Sequence, residues 1–130
     1  MSRVVMYIFI NKGLGMSTGK VAAQASHAAV EAFRVSKIDK VAEWYKGGHY
    51  AKLIMQARDE QHLRTISEYI ENRGFKVKHI VDEGLTEIKP HQLTAVGVEL
   101  VDKEDPHTLE TFSTFELYRD KVKVTIEVDK

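Results

Sequence analysis

A chain of 130 residues that is 43% hydrophobic has the apolar content for one core, and reads as one domain. It contains no cysteine, which excludes disulfides and thiolate zinc sites and suits a cytoplasmic setting; its N-terminal apolar run is too short to span a membrane and lacks a signal-peptide cleavage pattern. Lys plus Arg and Asp plus Glu balance at 19 each, so contact with a polyanion must come from a local basic patch rather than net attraction.

Val4–Ile10 (VVMYIFI) is a continuous apolar run, the pattern of a strand covered on both faces. A glycine-punctuated loop follows, and Ser17 or Thr18 can cap a helix predicted over Thr18–Val35. A short second helix is predicted over Ile38–Lys46, ending at Gly47-Gly48, and a second strand over Tyr50–Ala57. Asp59 is placed to cap a helix reaching Asn72, with Leu63, Ile66 and Ile70 at helical spacing and Gly74 as its stop. Strands are predicted over Phe75–Val81 and Thr94–Val98, followed by a polar region. In Lys121–Val128 (KVKVTIEV), strict alternation of Val122, Val124, Ile126 and Val128 with polar residues predicts one more half-buried strand, as a sheet edge or as a contact in a homodimer. Alternation of strands with helices argues for an α/β domain.

Asn11–Ala28 (NKGLGMSTGKVAAQASHA) is the richest segment. Free backbone N–H groups, the positive end of a helix dipole and Lys20 converge there, favouring a phosphate, a carboxylate or a developing oxyanion. The Walker pattern fails, because Leu14 stands where its first glycine belongs and Val21 follows Lys20. Gly13, Gly15 and Gly19 read GxGxxxG, but a dinucleotide site also needs an acid at the end of the second strand within about 30 residues, and that strand comes too late. Lys20, Gln24 and His27, spaced i, i+4, i+7, share a helix face continued by Glu31 and Arg34; without other information such a stripe is a solvated face. Asp82 lies just past a strand, where α/β folds place ligands, and can orient or deprotonate a water; an Asx turn explains it equally well. Ser26 and His27 diverge by about 100° on a helix and form no dyad. The histidines are scattered without an HxxxH pair, so no metal site is expected.

Taken together, Gly19–Ala28 (GKVAAQASHA), Glu43-Trp44 with Gly47, Asp82–Ile88 (DEGLTEI) and Leu93–Val98 (LTAVGV) resemble the archaeal- and eukaryotic-type class of peptidyl-tRNA hydrolases over roughly residues 3 to 118. The resemblance implies a three-layer α/β fold with a mixed, mostly parallel four-stranded sheet, and hydrolysis of the ester joining a peptide to the terminal ribose of tRNA, without metal or other cofactor. It assigns Asp82, Thr86, Thr94 and Lys20 to catalysis, and Lys20, Gln24, His27 and Thr18 to the substrate. A non-catalytic module of the same fold, binding a protein or RNA, is the alternative; joint retention of Lys20, Gln24, His27, Asp82, Thr86 and Thr94 favours the enzyme. Two departures stand out. Ser17-Thr18-Gly19-Lys20 replaces a GKGK-like run, and the turn at 82–87 carries Leu85 and Glu87 where the family has a base and a glutamine, which places acid beside the expected RNA path.

Overall fold

The computed structural model describes residues 3–47, 49–84 and 90–120. Strand β1 (Val4–Asn11) is buried along its whole length, as its sequence requires. Val5, Tyr7 and Phe9 point to one side, Val4, Met6, Ile8 and Ile10 to the other. On the second side lie α1 (Thr18–Val35), through Ala28 and Ala32, and α2 (Ile38–Gly47), through Trp44. On the first lie α3 (Glu60–Asn72), through Leu63, Ile66 and Ile70, and α4 (Pro106–Phe112), whose Phe112 stacks on Tyr7 at 4.1 Å between ring centres. Helices therefore cover both faces of the sheet, the layering expected of an α/β domain.

The remaining strands are β2 (Lys52–Ala57), β3 (Val77–Asp82), β4 (Gln92–Val98) and the short β5 (Val101–Asp102). The order is β2-β1-β4-β3, with β5 pairing with the start of β1. Among the described residues only β1 and β2 pair in parallel; β1–β4, β3–β4 and β1–β5 are antiparallel. This corrects the expectation of a mostly parallel sheet. Strands β1, β2 and β3 do run the same way, but β4 turns back from β3 and enters between β3 and β1, so two would-be neighbours are separated by an opposed strand. The outer edge of β2 is also occupied. Gln56 N–H donates to Glu116 O, Tyr118 N–H to Ile54 O, and Met55 bridges Leu117. The expected strand at Lys121–Val128, and any subunit contact made through it, lies outside the described residues.

Element boundaries shift for local reasons. Strand β2 begins at Lys52 rather than Tyr50 because His49 and Tyr50 both adopt positive φ, 51° and 57°, which no strand accepts. Phe75 precedes β3 and stacks on His107 instead of entering the sheet. Helix α4 falls in the stretch read as polar; its Asp105 cap and Pro106 at the first helical position were the available cues.

Helix α1 lies directly on the backbone of β4. A Cβ at Gly97 would stand 2.5 Å from Ala28 O and 3.1 Å from the Ala32 methyl, so this position has room for hydrogen alone. Gly97→Ala should therefore cost about 1–3 kcal/mol by overpacking, read as a lowered urea midpoint with an unchanged slope.

Candidate active site

The loop after β1 forms a single 3-10 turn, Lys12–Leu14, closed by Gly15 in the left-handed region (φ 62°). Ser17 then caps α1, its hydroxyl accepting from the Lys20 N–H. Thr18 begins the helix and is exposed. From the first turn of the helix, the Lys20 side chain crosses to the C-terminal end of β3. There its Nζ donates to Asp82 Oδ1 at 2.8 Å, with each side chain about one-tenth exposed (11% and 10%).

Asp82 is held from other directions as well. Gly84 adopts φ 75°, a backbone state that favours glycine, and this turns its N–H onto Asp82 Oδ2 at 2.7 Å. Gln24, one helical turn beyond Lys20, reaches Asp82 Oδ1 with Nε2 at a long 3.5 Å. The Gln24 Oε1 accepts a short hydrogen bond from the Thr94 hydroxyl, which also lies 3.2 Å from Ile80 O. Gln24 and Thr94 are buried, at 3% and 0% exposure. The Lys20 hydrogen bond is the main cause holding the Asp82 carboxyl below the usual aspartate range; burial opposes it, and the Gly84 N–H and the charges of Lys20 and His27 add to it.

Four of the predicted site residues, Lys20, Gln24, Asp82 and Thr94, thus form one connected network drawn from α1, β3 and β4. The helix stripe is divided. Lys20 and Gln24 turn inward, which the solvated-face reading does not accommodate, while His27 is exposed and reaches Asp82 only through its charge. Glu31 and Arg34 pair with each other at 2.8 Å on the surface. Ser26 donates to Ala22 O, a local helix contact. Thr86, Leu85 and Glu87 lie outside the described residues.

Sequence reading passed over Asn11, the buried polar end of an otherwise apolar strand, although a polar residue closing such a run is a visible signal. It also passed over the groove beside it. Lys12, Gly13, Gln56, Ala57 and Arg58 line about 360 Å³ at the C-terminal ends of the parallel pair β1–β2. Lys12 Nζ donates to Gln56 Oε1 at 3.3 Å and to Arg119 O, while Arg58 is exposed.

A carboxylate and an ammonium fixed at the end of a sheet, with a helix N-terminus beside them, can hold a water and stabilise a developing oxyanion. Comparison with known proteins gives this arrangement a family. Residues 4–115 match the family model described as Peptidyl-tRNA hydrolase PTH2. The chain belongs to that family. It is 37% identical over 110 residues to a peptidyl-tRNA hydrolase of Pyrobaculum aerophilum, covering 77% of this chain and 91% of the relative. Identity to the peptidyl-tRNA hydrolase of Thermococcus onnurineus is 35% over 115 residues, covering 82% of this chain and 97% of the relative. The mitochondrial peptidyl-tRNA hydrolase 2 of Mus musculus is 34% identical over 110 residues, 78% of this chain and 60% of the relative.

The ion pair sets a pH signature. A carboxyl whose folded pKa is depressed adds stability that is complete above its unfolded value, about 3.9, and is lost as pH falls through the lower folded value. In Lys20→Met the Asp82 titration, followed by carboxyl NMR, should move up from its depressed position. The stability gap between the wild type and Asp82→Asn, wide at pH 7, should close in acid below about pH 4.

Proposed function

We propose that this chain hydrolyses the ester of peptidyl-tRNA, releasing the peptide and a reusable tRNA, as one cytoplasmic catalytic domain. The observation that carries the proposal is the part-buried Lys20–Asp82 pair, braced by Gln24 and Thr94, within a chain that matches the family over residues 4–115.

In this reading Asp82 accepts a hydrogen bond from the attacking water and aims it at the ester carbonyl. Its depressed pKa makes it a poor proton acceptor at neutral pH, so orientation is its larger contribution. Lys20 lies at the anion-favouring start of α1 and supplies positive charge where the tetrahedral oxyanion forms, or to the terminal phosphate of the acceptor end. Gln24 and Thr94 hold Asp82 in place. Thr86 completes the set by family likeness, and Thr18 and His27, both exposed on α1, are placed for the nucleotide. An ester needs less activation than an amide, and an oriented water beside a fixed cation is sufficient chemistry without a resident metal. Among the described residues no helix is long and apolar enough to cross a membrane. With no net charge on the chain, the RNA must be met locally; Lys12 and Arg58, at the same end of the sheet as Asn11 and the loop to Lys20, offer such a surface.

Asp82→Asn should fold yet lower kcat on peptidyl-tRNA by about two to four orders of magnitude; near-normal turnover in the folded variant removes Asp82 from the reaction. A chelator should leave the wild-type rate unchanged. Lys20→Ala should weaken tRNA binding and flatten the plot of log affinity against log salt by about one phosphate contact. An unchanged slope would assign Lys20 to the ester alone.

A further inference from the structure

Thr94 reaches Gln24 because the sheet is broken under it. Opposite β3, the register runs Ile80↔Ala95 and then Val81↔Leu93, which leaves Thr94 as an extra residue on β4, a β-bulge. Leu93 packs in the core on the α3 side and Ala95 in the core on the α1 side. In a regular strand, residues two apart share a face. The bulge removes that constraint, and both Thr94 and Ala95 face α1.

The cost of a bulge is the loss of ladder bonds around it. The β1–β4 ladder ends at Ile10↔Ala95, so the main chain at Leu93 extends past the last β1 pairing. Two side chains take over. Asn11 Nδ2 donates to Leu93 O at 2.9 Å, and Leu93 N–H donates to Glu60 Oε1 at 3.0 Å. Leu93 is fully buried and Asn11 is 1% exposed. The Asn11 Oδ1 finds no hydrogen-bond partner among the described residues, an unsatisfied buried acceptor that a residue serving only to fill the core would avoid. Glu60 opens α3 immediately after the Asp59 cap, and its other oxygen holds Arg64 at 3.2 Å.

We propose that Asn11 and Glu60 are positioning residues: by clamping both main-chain groups of Leu93 from the α3 side, they hold the bulge that presents the Thr94 hydroxyl to Gln24 and, through Gln24, fixes Asp82. The inference rests on the assignment of Asp82 and Thr94 to the reaction. It extends the site through the sheet to a helix on the opposite face, with no contact between Glu60 and the substrate.

The test is steady-state hydrolysis of peptidyl-tRNA, well below each variant's melting temperature. Glu60→Ala should lower kcat about ten- to a hundredfold, the range of a small misplacement of reacting groups, with KM nearly unchanged. Glu60→Gln keeps an acceptor oxygen for the Leu93 N–H and should restore most of the rate. Arg64→Ala, which removes only the surface ion pair of Glu60, should leave kcat as it is. In a Thr94→Val background, Glu60→Ala should lose most of its effect, because the group it positions is gone. Should Glu60→Ala fail to fold, Glu60→Asp, which keeps the charge and withdraws the oxygen by one methylene, is read in the same way. A lowered Tm with normal kcat in Glu60→Ala, an equal loss in Arg64→Ala, or full additivity with Thr94→Val would each overturn the proposal while leaving the site assignment standing. Wild-type turnover by Thr94→Val would instead overturn the role of Thr94, and this inference with it.

Discussion

The ion pair between Lys20 and Asp82 fixes the start of α1 against the end of β3, two elements whose apolar contact lies farther along, through Ala28, Ala32 and Ile80. Lys20 belongs to the first turn of α1 and Asp82 to the last residue of β3, with the antiparallel β4 between that strand and β1. Both side chains are about one-tenth exposed, so the pair is shielded on most sides while its open side still faces solvent. The glycine loop, the Ser17 cap and the left-handed turn at Gly84 all serve this meeting: the first two bring Lys20 to the sheet, and the third supplies the second donor to Asp82. A carboxylate saturated in this manner is stiff and weakly basic, properties suited to aiming a water rather than deprotonating it.

The same geometry explains why the site lies at one end of the sheet. Helix α1 packs so closely on β4 that its inward face accepts only small groups at Ala28 and Ala32. Nearer the helix start this tight layer gives way to Gln24 and Lys20, whose polar ends emerge just where β3 ends and β4 begins. The candidate site and the core packing therefore occupy successive turns of a single helix.

Much of this was readable in the sequence, and what was not readable shares a physical character. Local signals held: the unbroken apolar run of β1, the Asp59 cap with Leu63, Ile66 and Ile70 behind it, and the Ser17 cap that opens α1. The candidate residues Lys20, Gln24, Asp82 and Thr94 are brought together in space as named, whereas Thr86 lies outside the described residues. Pairing between distant segments was hidden. Nothing local says that β4 enters antiparallel between β1 and β3, or that a bulge falls at Thr94. The contacts of Asn11 and Glu60 with Leu93 span 82 and 33 residues. Helix periodicity showed that Lys20 and Gln24 share a face, but not that this face turns inward.

The segment Glu116–Tyr118 along β2 has a consequence for how the chain can be cut. The family match ends at residue 115, one position before this segment begins. A protein trimmed to the matched length would keep every described member of the network around Asp82, yet it would expose the unpaired N–H and C=O groups of Ile54 and Gln56 along a β2 edge stripped of its cover. An open edge of that kind is a template for strands from other molecules. The last described residues before position 120 thus cover the β2 edge, and the end of the family match at residue 115 leaves that cover out.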